Sequence, residues 1–214
     1  MIIDLPDTFC YKDKLGHELA SINGGETLEL MRDIAYADVM YAITYKIKGH
    51  KCVYCGRTLK EGKTTLDHVI PRDLGGPTIP NNLVPACPRC NAEKSNMTEW
   101  EYIEYLKLGI RERAQFFSEV IQRHERIKFK IGFKLPHGWV QIIPVSEIQV
   151  CHAPQNVNLK KIEEFYEKFG NLKKPIIIDR NGMLMEEYRI FLFAKKMHLD
   201  SIPAIVLENV HIRS

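Results

Sequence analysis

Two Cys-x-x-Cys pairs, Cys52 with Cys55 and Cys87 with Cys90, are separated by 31 residues in a chain of 214. Residues 50–97 are rich in Gly, Pro and Asn and hold only short apolar runs. Such a segment cannot build a sizeable core and needs a staple. Each pair sits on a tight knuckle, Cys-Val-Tyr-Cys-Gly and Cys-Pro-Arg-Cys-Asn. Four thiolates satisfy a tetrahedral zinc ion at about 2.3 Å each and leave no open position. The expected ion is therefore a structural Zn²⁺, whose binding energy is part of the folding energy. A redox reading gives the second pair no role. Cys10 and Cys151 read as ordinary small core or surface residues.

Composition excludes several classes. Hydrophobic residues make up 45% and charged residues 27%, an ordinary globular mixture. No apolar run reaches the roughly 18 residues that span a bilayer. The start, MIIDLPDTFCYKDK, lacks the basic flank and apolar core of a signal peptide. The expectation is a cytoplasmic protein without a membrane partner, where thiols serve as metal ligands more readily than as disulfides. The net charge of +3 names no partner, but its distribution does more. Residues 46–96 hold nine Lys and Arg against four acids. A local basic surface favours an anionic partner such as nucleic acid.

The expected fold class is α+β. Residues 1–48 form an N-terminal arm and helix, 49–130 the stapled unit with trailing helices, and 139–214 a small α/β domain. Residues 1–25 read as irregular and end in the turn signal Asn23-Gly24-Gly25. Leu28, Met31, Ile34, Ala35, Val39, Ala42 and Ile43 recur at helical spacing, so 26–47 is read as one helix that Gly49 ends. Thr98 and Glu101 form a capping box, Gly109 interrupts, and a second amphipathic helix runs over about 111–128. In the tail, Val140–Val145, Pro175–Asp179 and a final Ile202–Leu207 read as strands. Leu159–Phe169 and Glu186–Met197 read as helices, and Arg180-Asn181-Gly182 as a turn.

Between the knuckles lies Leu66-Asp67-His68-Val69-Ile70-Pro71-Arg72-Asp73-Leu74-Gly75-Gly76, then Asn81-Asn82-Leu83-Val84-Pro85-Ala86. Asn91-Ala92-Glu93-Lys94 follows the last cysteine. Together these offer an imidazole, hard oxygen ligands and cations within one stapled hairpin. Phosphodiester cleavage needs those parts. His68 titrates near neutrality and can deprotonate a water. Mg²⁺ or Mn²⁺ prefers a carboxylate, an amide oxygen and waters, which Asp67 and Asn91 can supply. Arg72 and Lys94 can hold flanking phosphates.

The stretch Cys52–Lys94 resembles an HNH endonuclease of the zinc-stapled kind: CxxC, Asp-His-x-x-Pro, Gly-Gly, then Asn-Leu-x-x-x-Cys-x-x-Cys-Asn-x-x-Lys. The resemblance implies a ββα-metal hairpin, with Asp67 and His68 ending the first strand and Asn91 opening the helix. It implies that His68 is the general base and that Asp67 and Asn91 hold the catalytic metal. Asn82 would brace the loop carrying the histidine, with Asn81 as the alternative if the register slips by one. The implied partner is duplex DNA. A non-cleaving, zinc-dependent DNA-binding protein is the alternative, and oligomeric state is left open.

The tail resembles the ParB/sulfiredoxin-like fold through Lys174–Gly182, Arg189 and Ile202–Val206. Where that family has an Asp-Gly pair at a helix start, this chain has Glu186-Glu187. Two carboxylates there would repel a nucleotide phosphate. The resemblance thus implies the fold without nucleotide chemistry, and a role in positioning DNA or a partner, or in packing. A nucleotide-dependent switch is the weaker third reading.

Overall fold

The computed structural model describes residues 1–22, 26–31, 35–60, 64–127, 135–151 and 157–213. The turn expected at Asn23-Gly24-Gly25, Ile34, Glu61, Lys63, Lys128 and His152 lie outside the described residues. The architecture is α+β, with three small sheets and helices between them.

The N-terminal arm is not irregular. It forms strands β1 (Phe9–Lys12), β2 (Glu18–Ile22) and β3 (Leu28–Leu30), then helix α1 (Tyr36–Lys48). The single helix expected over 26–47 is thus a strand followed by a helix. Leu28 and Leu30 are buried on either side of the more exposed Glu29, which is the period of a strand. Leu28 and Met31 share helical spacing only by coincidence, and pairing with strands on both sides of β3 decides the matter. In α1, Val39, Met40 and Ile43 are fully buried. Gly49 ends the helix with φ +70, in the left-handed region that favours glycine, and donates to the Tyr45 carbonyl.

The stapled unit follows: β4 (Thr65–His68), β5 (Leu83–Ala86), α2 (Pro88–Lys94), α3 (Glu99–Lys107) and α4 (Ile110–Ile127). Strands β4 and β5 form an antiparallel pair with Asp67 opposite Val84 and His68 opposite Leu83. The capping box at Thr98 is present, with Glu101 Oε2 accepting from the Thr98 amide and hydroxyl. The tail comprises β6 (Gln141–Pro144), α5 (Lys160–Phe169), β7 (Ile176–Asp179), β8 (Leu184–Glu186), α6 (Tyr188–Lys196), β9 (Ser201–Leu207) and β10 (Val210–Ile212). Glu186 ends a strand and does not open a helix, and β9 is not the last strand. The sheet order is β6-β9-β7-β8.

β10 leaves the tail sheet and pairs in parallel with β3, completing the sheet β1-β2-β3-β10. One buried cluster accordingly joins Leu28 and Leu30, Ile43 of α1, Leu83 of β5, and Ile205 and Val210. It draws residues from all three of the expected segments. A second cluster lies within the tail around Ile176, Ile190 and Phe193. A third places Tyr102 of α3 and Val120 of α4 against Cys52, Cys87 and Cys90.

Candidate active site

The four knuckle cysteines converge. Every Sγ of Cys52, Cys55, Cys87 and Cys90 lies within 4.8 Å of the others, and three of the four residues are buried. The Sγ atoms of Cys55 and Cys87 are 3.9 Å apart. Backbone hydrogen bonds shape the knuckles: Cys90 N–H donates to Cys87 Sγ at 3.4 Å, and Gly56 N–H to the Cys52 carbonyl at 2.8 Å. Burial pushes the Cys52 thiol up, yet backbone donors at Cys87, Cys55 and Tyr54 outweigh it and bring it to about 7. Burial pushes the Cys90 thiol up. Four sulfurs converging on one point are the donor set of a structural zinc, so this cluster can hold that ion. The first knuckle is tied to the hairpin by Val53 N–H, which donates to the Pro85 carbonyl.

Strand β4 delivers Asp67 and His68 to its end, and alternation along the strand buries Asp67 and leaves His68 half-buried. The loop behind them is closed by Asn82. Its Oδ1 accepts from Ile70 N–H at 2.9 Å, and its Nδ2 donates to the Ile70 and Pro77 carbonyls at 3.1 and 2.9 Å. Asn81 instead accepts from Asp4 N–H on an exposed edge, so the buried brace is Asn82. A Cβ at Gly76 would meet the Ile70 carbonyl oxygen at 1.8 Å and Asn82 Nδ2 at 2.9 Å. Only glycine fits that approach.

Asn91 lies one turn into α2 and does not open it, because the helix begins at Pro88. Its Nδ2 donates to Thr65 Oγ1 at 3.1 Å. Thr65 and Asp67 are two apart in β4 and share a face, which brings the Asn91 amide to the side of the strand that carries the carboxylate. Lys94, three residues on, shares the helix face of Asn91. It is fully buried, and its Nζ meets Asp67 Oδ1 and Oδ2 at 3.1 and 3.0 Å and the His68 carbonyl at 2.8 Å. This corrects the expectation that Lys94 holds a phosphate: its ammonium is spent inside the protein. Burial pushes the Asp67 carboxyl up and the Lys94 ammonium down, and each charge counters the effect on the other.

Tyr54 completes the surroundings of Asp67. It stands inside the first knuckle, packs edge-on against Tyr102, and donates its hydroxyl to Asp67 Oδ2 at 2.5 Å. The sequence carries no signal for this contact beyond an aromatic hydroxyl placed between two ligand cysteines. His68 Nε2 lies 3.1 Å from the hydroxyl of Thr78, a fully buried residue also missed by motif reading. Burial lowers the His68 imidazole to about 4, helped by the positive charges of Arg72, Lys94 and Lys174. His68 is thus neutral at pH 7. Arg72 is half-exposed, but its guanidinium binds Glu186 at 2.9 Å and Glu187 at 3.1 Å. Burial opposes its charge, and the two carboxylates outweigh burial and raise it.

A carboxylate and an amide oxygen brought to one side of β4 are the donor chemistry of a hard divalent cation whose remaining ligands are waters. Asp67 and Asn91 could hold such an ion if the carboxylate, whose two oxygens already meet Lys94 and Tyr54, were shared with it.

Residues 52–97 match the HNH endonuclease family. That is the segment built from the two knuckles, the β4–β5 hairpin and α2. A 94-residue stretch is also 32% identical to the CRISPR-associated endonuclease Cas9 of Actinomyces naeslundii. The match covers 40% of this chain and 8% of that protein, so the chain spans less than a tenth of the curated relative it matches. Among solved structures, a Pnob8-like ParB-N domain overlaps 31% of this chain and 28% of its own at 17% identity. Its TM-score of 0.27 is too low to carry an argument. The family match thus falls on the stapled hairpin and α2, and it is this segment that is similar to HNH endonucleases.

Proposed function

We propose that this protein is a metal-dependent endonuclease that hydrolyses phosphodiester bonds of duplex DNA. The observation that carries the reading is the arrangement at the end of β4. His68 is presented there as a neutral imidazole, Asp67 and the Asn91 amide lie to one side, and Asn82 locks the loop behind. With Nε2 engaged by Thr78, Nδ1 is the nitrogen left to take a proton from the attacking water. The water oxygen bonds to phosphorus as the bond to the 3′ oxygen breaks. Asp67 and Asn91 would hold Mg²⁺ or Mn²⁺, which supplies charge neutralisation at the phosphorane and the leaving oxygen. A bound phosphodiester also adds negative charge beside three cations that otherwise resist protonation of His68, so the base gains proton affinity when substrate arrives. The Cys₄ zinc holds the scaffold and takes no part in chemistry.

The second reading, a zinc-dependent DNA-binding protein without turnover, is favoured by one observation: Lys94 already covers Asp67. Incubating supercoiled plasmid with Mg²⁺, Mn²⁺ or no divalent ion separates the two. Conversion to open circle that requires the ion supports the nuclease. Retarded but intact plasmid under every condition establishes the binding protein. The tail is proposed to position DNA and not to bind a nucleotide, because its Glu186-Glu187 pair faces Arg72 and Lys174.

A further inference from the structure

Where the nuclease hairpin meets the tail, two short stretches are matched charge for charge. Asp73 accepts from Lys173 at 2.9 Å and from Asn96 at 3.1 Å. One residue earlier in the hairpin, Arg72 meets Glu186 and Glu187, and Lys174 meets Glu187. A single oxygen, Glu187 Oε1, therefore bridges a guanidinium from the hairpin and an ammonium from the tail. Two cations from different segments converging on one anionic oxygen reproduce what a non-bridging phosphate oxygen asks for. Arg72 lies four residues after His68, within the loop that Asn82 braces at Ile70 and Pro77, so this oxygen belongs to the same loop as the proposed chemistry.

The glutamate is held there against its local preferences. Glu187 has φ +68, and it precedes α6 without capping it through its side chain. A left-handed backbone is unfavourable at a non-glycine residue. A side chain at this position ordinarily serves the orphan N–H groups of the helix, but this one is turned to Arg72 and Lys174. Glu186 lies beside it, itself largely withdrawn from solvent, so two like charges are kept together by the cations they share.

We infer that Arg72 and Lys174 form a two-pronged site for a DNA backbone phosphate, assembled across the hairpin and the tail, and that Glu186 and Glu187 occupy it as an internal phosphate mimic that the nucleic acid must displace. Asp73 and Lys173 keep the two segments joined while the glutamates swing away. The inference rests on the nuclease reading for the identity of the anion and adds the residues that admit it.

The test is the salt dependence of binding to a short fluorescein-labelled duplex, read by anisotropy without divalent ion. Each added phosphate contact steepens the slope of log K against log salt by about 0.9. Glu186→Gln with Glu187→Gln should tighten binding at low salt by about tenfold and steepen the slope by between about one and two. Adding Arg72→Gln and Lys174→Gln should cancel that gain, which a purely structural role for the glutamates does not predict. Glu187→Gly is the folding-safe companion, because glycine accepts the left-handed backbone, and it should move the slope in the same direction. A double variant that melts like the wild type but binds with an unchanged slope, or more weakly, overturns the inference and leaves the nuclease reading standing. Failure of the wild type and every variant to bind duplex overturns both.

Discussion

At the scale of single residues, the spacing of Asp67, His68, Asn82 and Asn91 was legible because a hairpin stapled at both ends fixes which positions can meet. Tyr54 and Thr78 were not legible, since each matters only through a partner far away in the chain. Lys94 was legible in place but not in role: its three-residue offset from Asn91 turns it toward β4, where burial makes it a counter-ion. Removing one member of that pair leaves an unpaired buried charge and should cost about 3–5 kcal/mol. Lys94→Met and Asp67→Asn should each lower the melting temperature by more than the double variant does. Tyr54→Phe keeps the ring against Tyr102 and removes only the hydroxyl. Cleavage should fall about tenfold with zinc content unchanged, as for other partners that orient a ligand. Initial rates beside a zinc determination check this. The pH profile carries its own prediction. With His68 brought to about 4, the free protein holds this imidazole deprotonated above about pH 5. Single-turnover kcat/KM should therefore stay level through the ordinary histidine range near 6.5. An inflection there would contradict the burial argument.

At the scale of elements, the helix ends with strong local signals were read well and the short strands were not. The capping box at Thr98 and the glycine after α1 marked their helices because the signals are local hydrogen bonds and backbone angles. Strands β1, β2, β3 and β10 are three to five residues long and owe their existence to one another, so no local pattern announces them. Glu101 shows how an element end becomes a tertiary anchor. It caps α3 and also pairs with His124 of α4 at 3.0 Å. Burial pushes its carboxyl up, but His124 and the Thr98 amide and hydroxyl outweigh that and hold it well below the usual range. The unfolded chain then binds the proton more readily, so this contribution is complete above the unfolded value near 4.3 and is lost as acidity increases below it. Glu101→Gln should cost about 2 kcal/mol at neutral pH, and the gap to the wild type should close on acidification. Denaturant melts at the two pH values read it directly.

At the scale of the whole molecule, the three segments legible from composition share one core. Val210, in the strand that closes the N-terminal sheet, is fully buried in the cluster that also holds Leu83 of the stapled hairpin. No pattern in the sequence pairs positions so far apart, which is why the closure was unreadable. Val210→Asp buries an unpaired charge there, and it should lower the melting temperature of the stapled hairpin together with the tail. Independent melting of the hairpin would argue against a shared core. Among the described residues no helix is long and apolar enough to cross a membrane. The central claim concerns one imidazole at the end of β4. It is tested most directly by cleavage of an end-labelled duplex with Mg²⁺, comparing the wild type with His68→Ala. The account predicts fragments with a 5′ phosphate and a free 3′ hydroxyl from the wild type, and none from a variant that remains folded and zinc-loaded. Equal cleavage by the two proteins would contradict it.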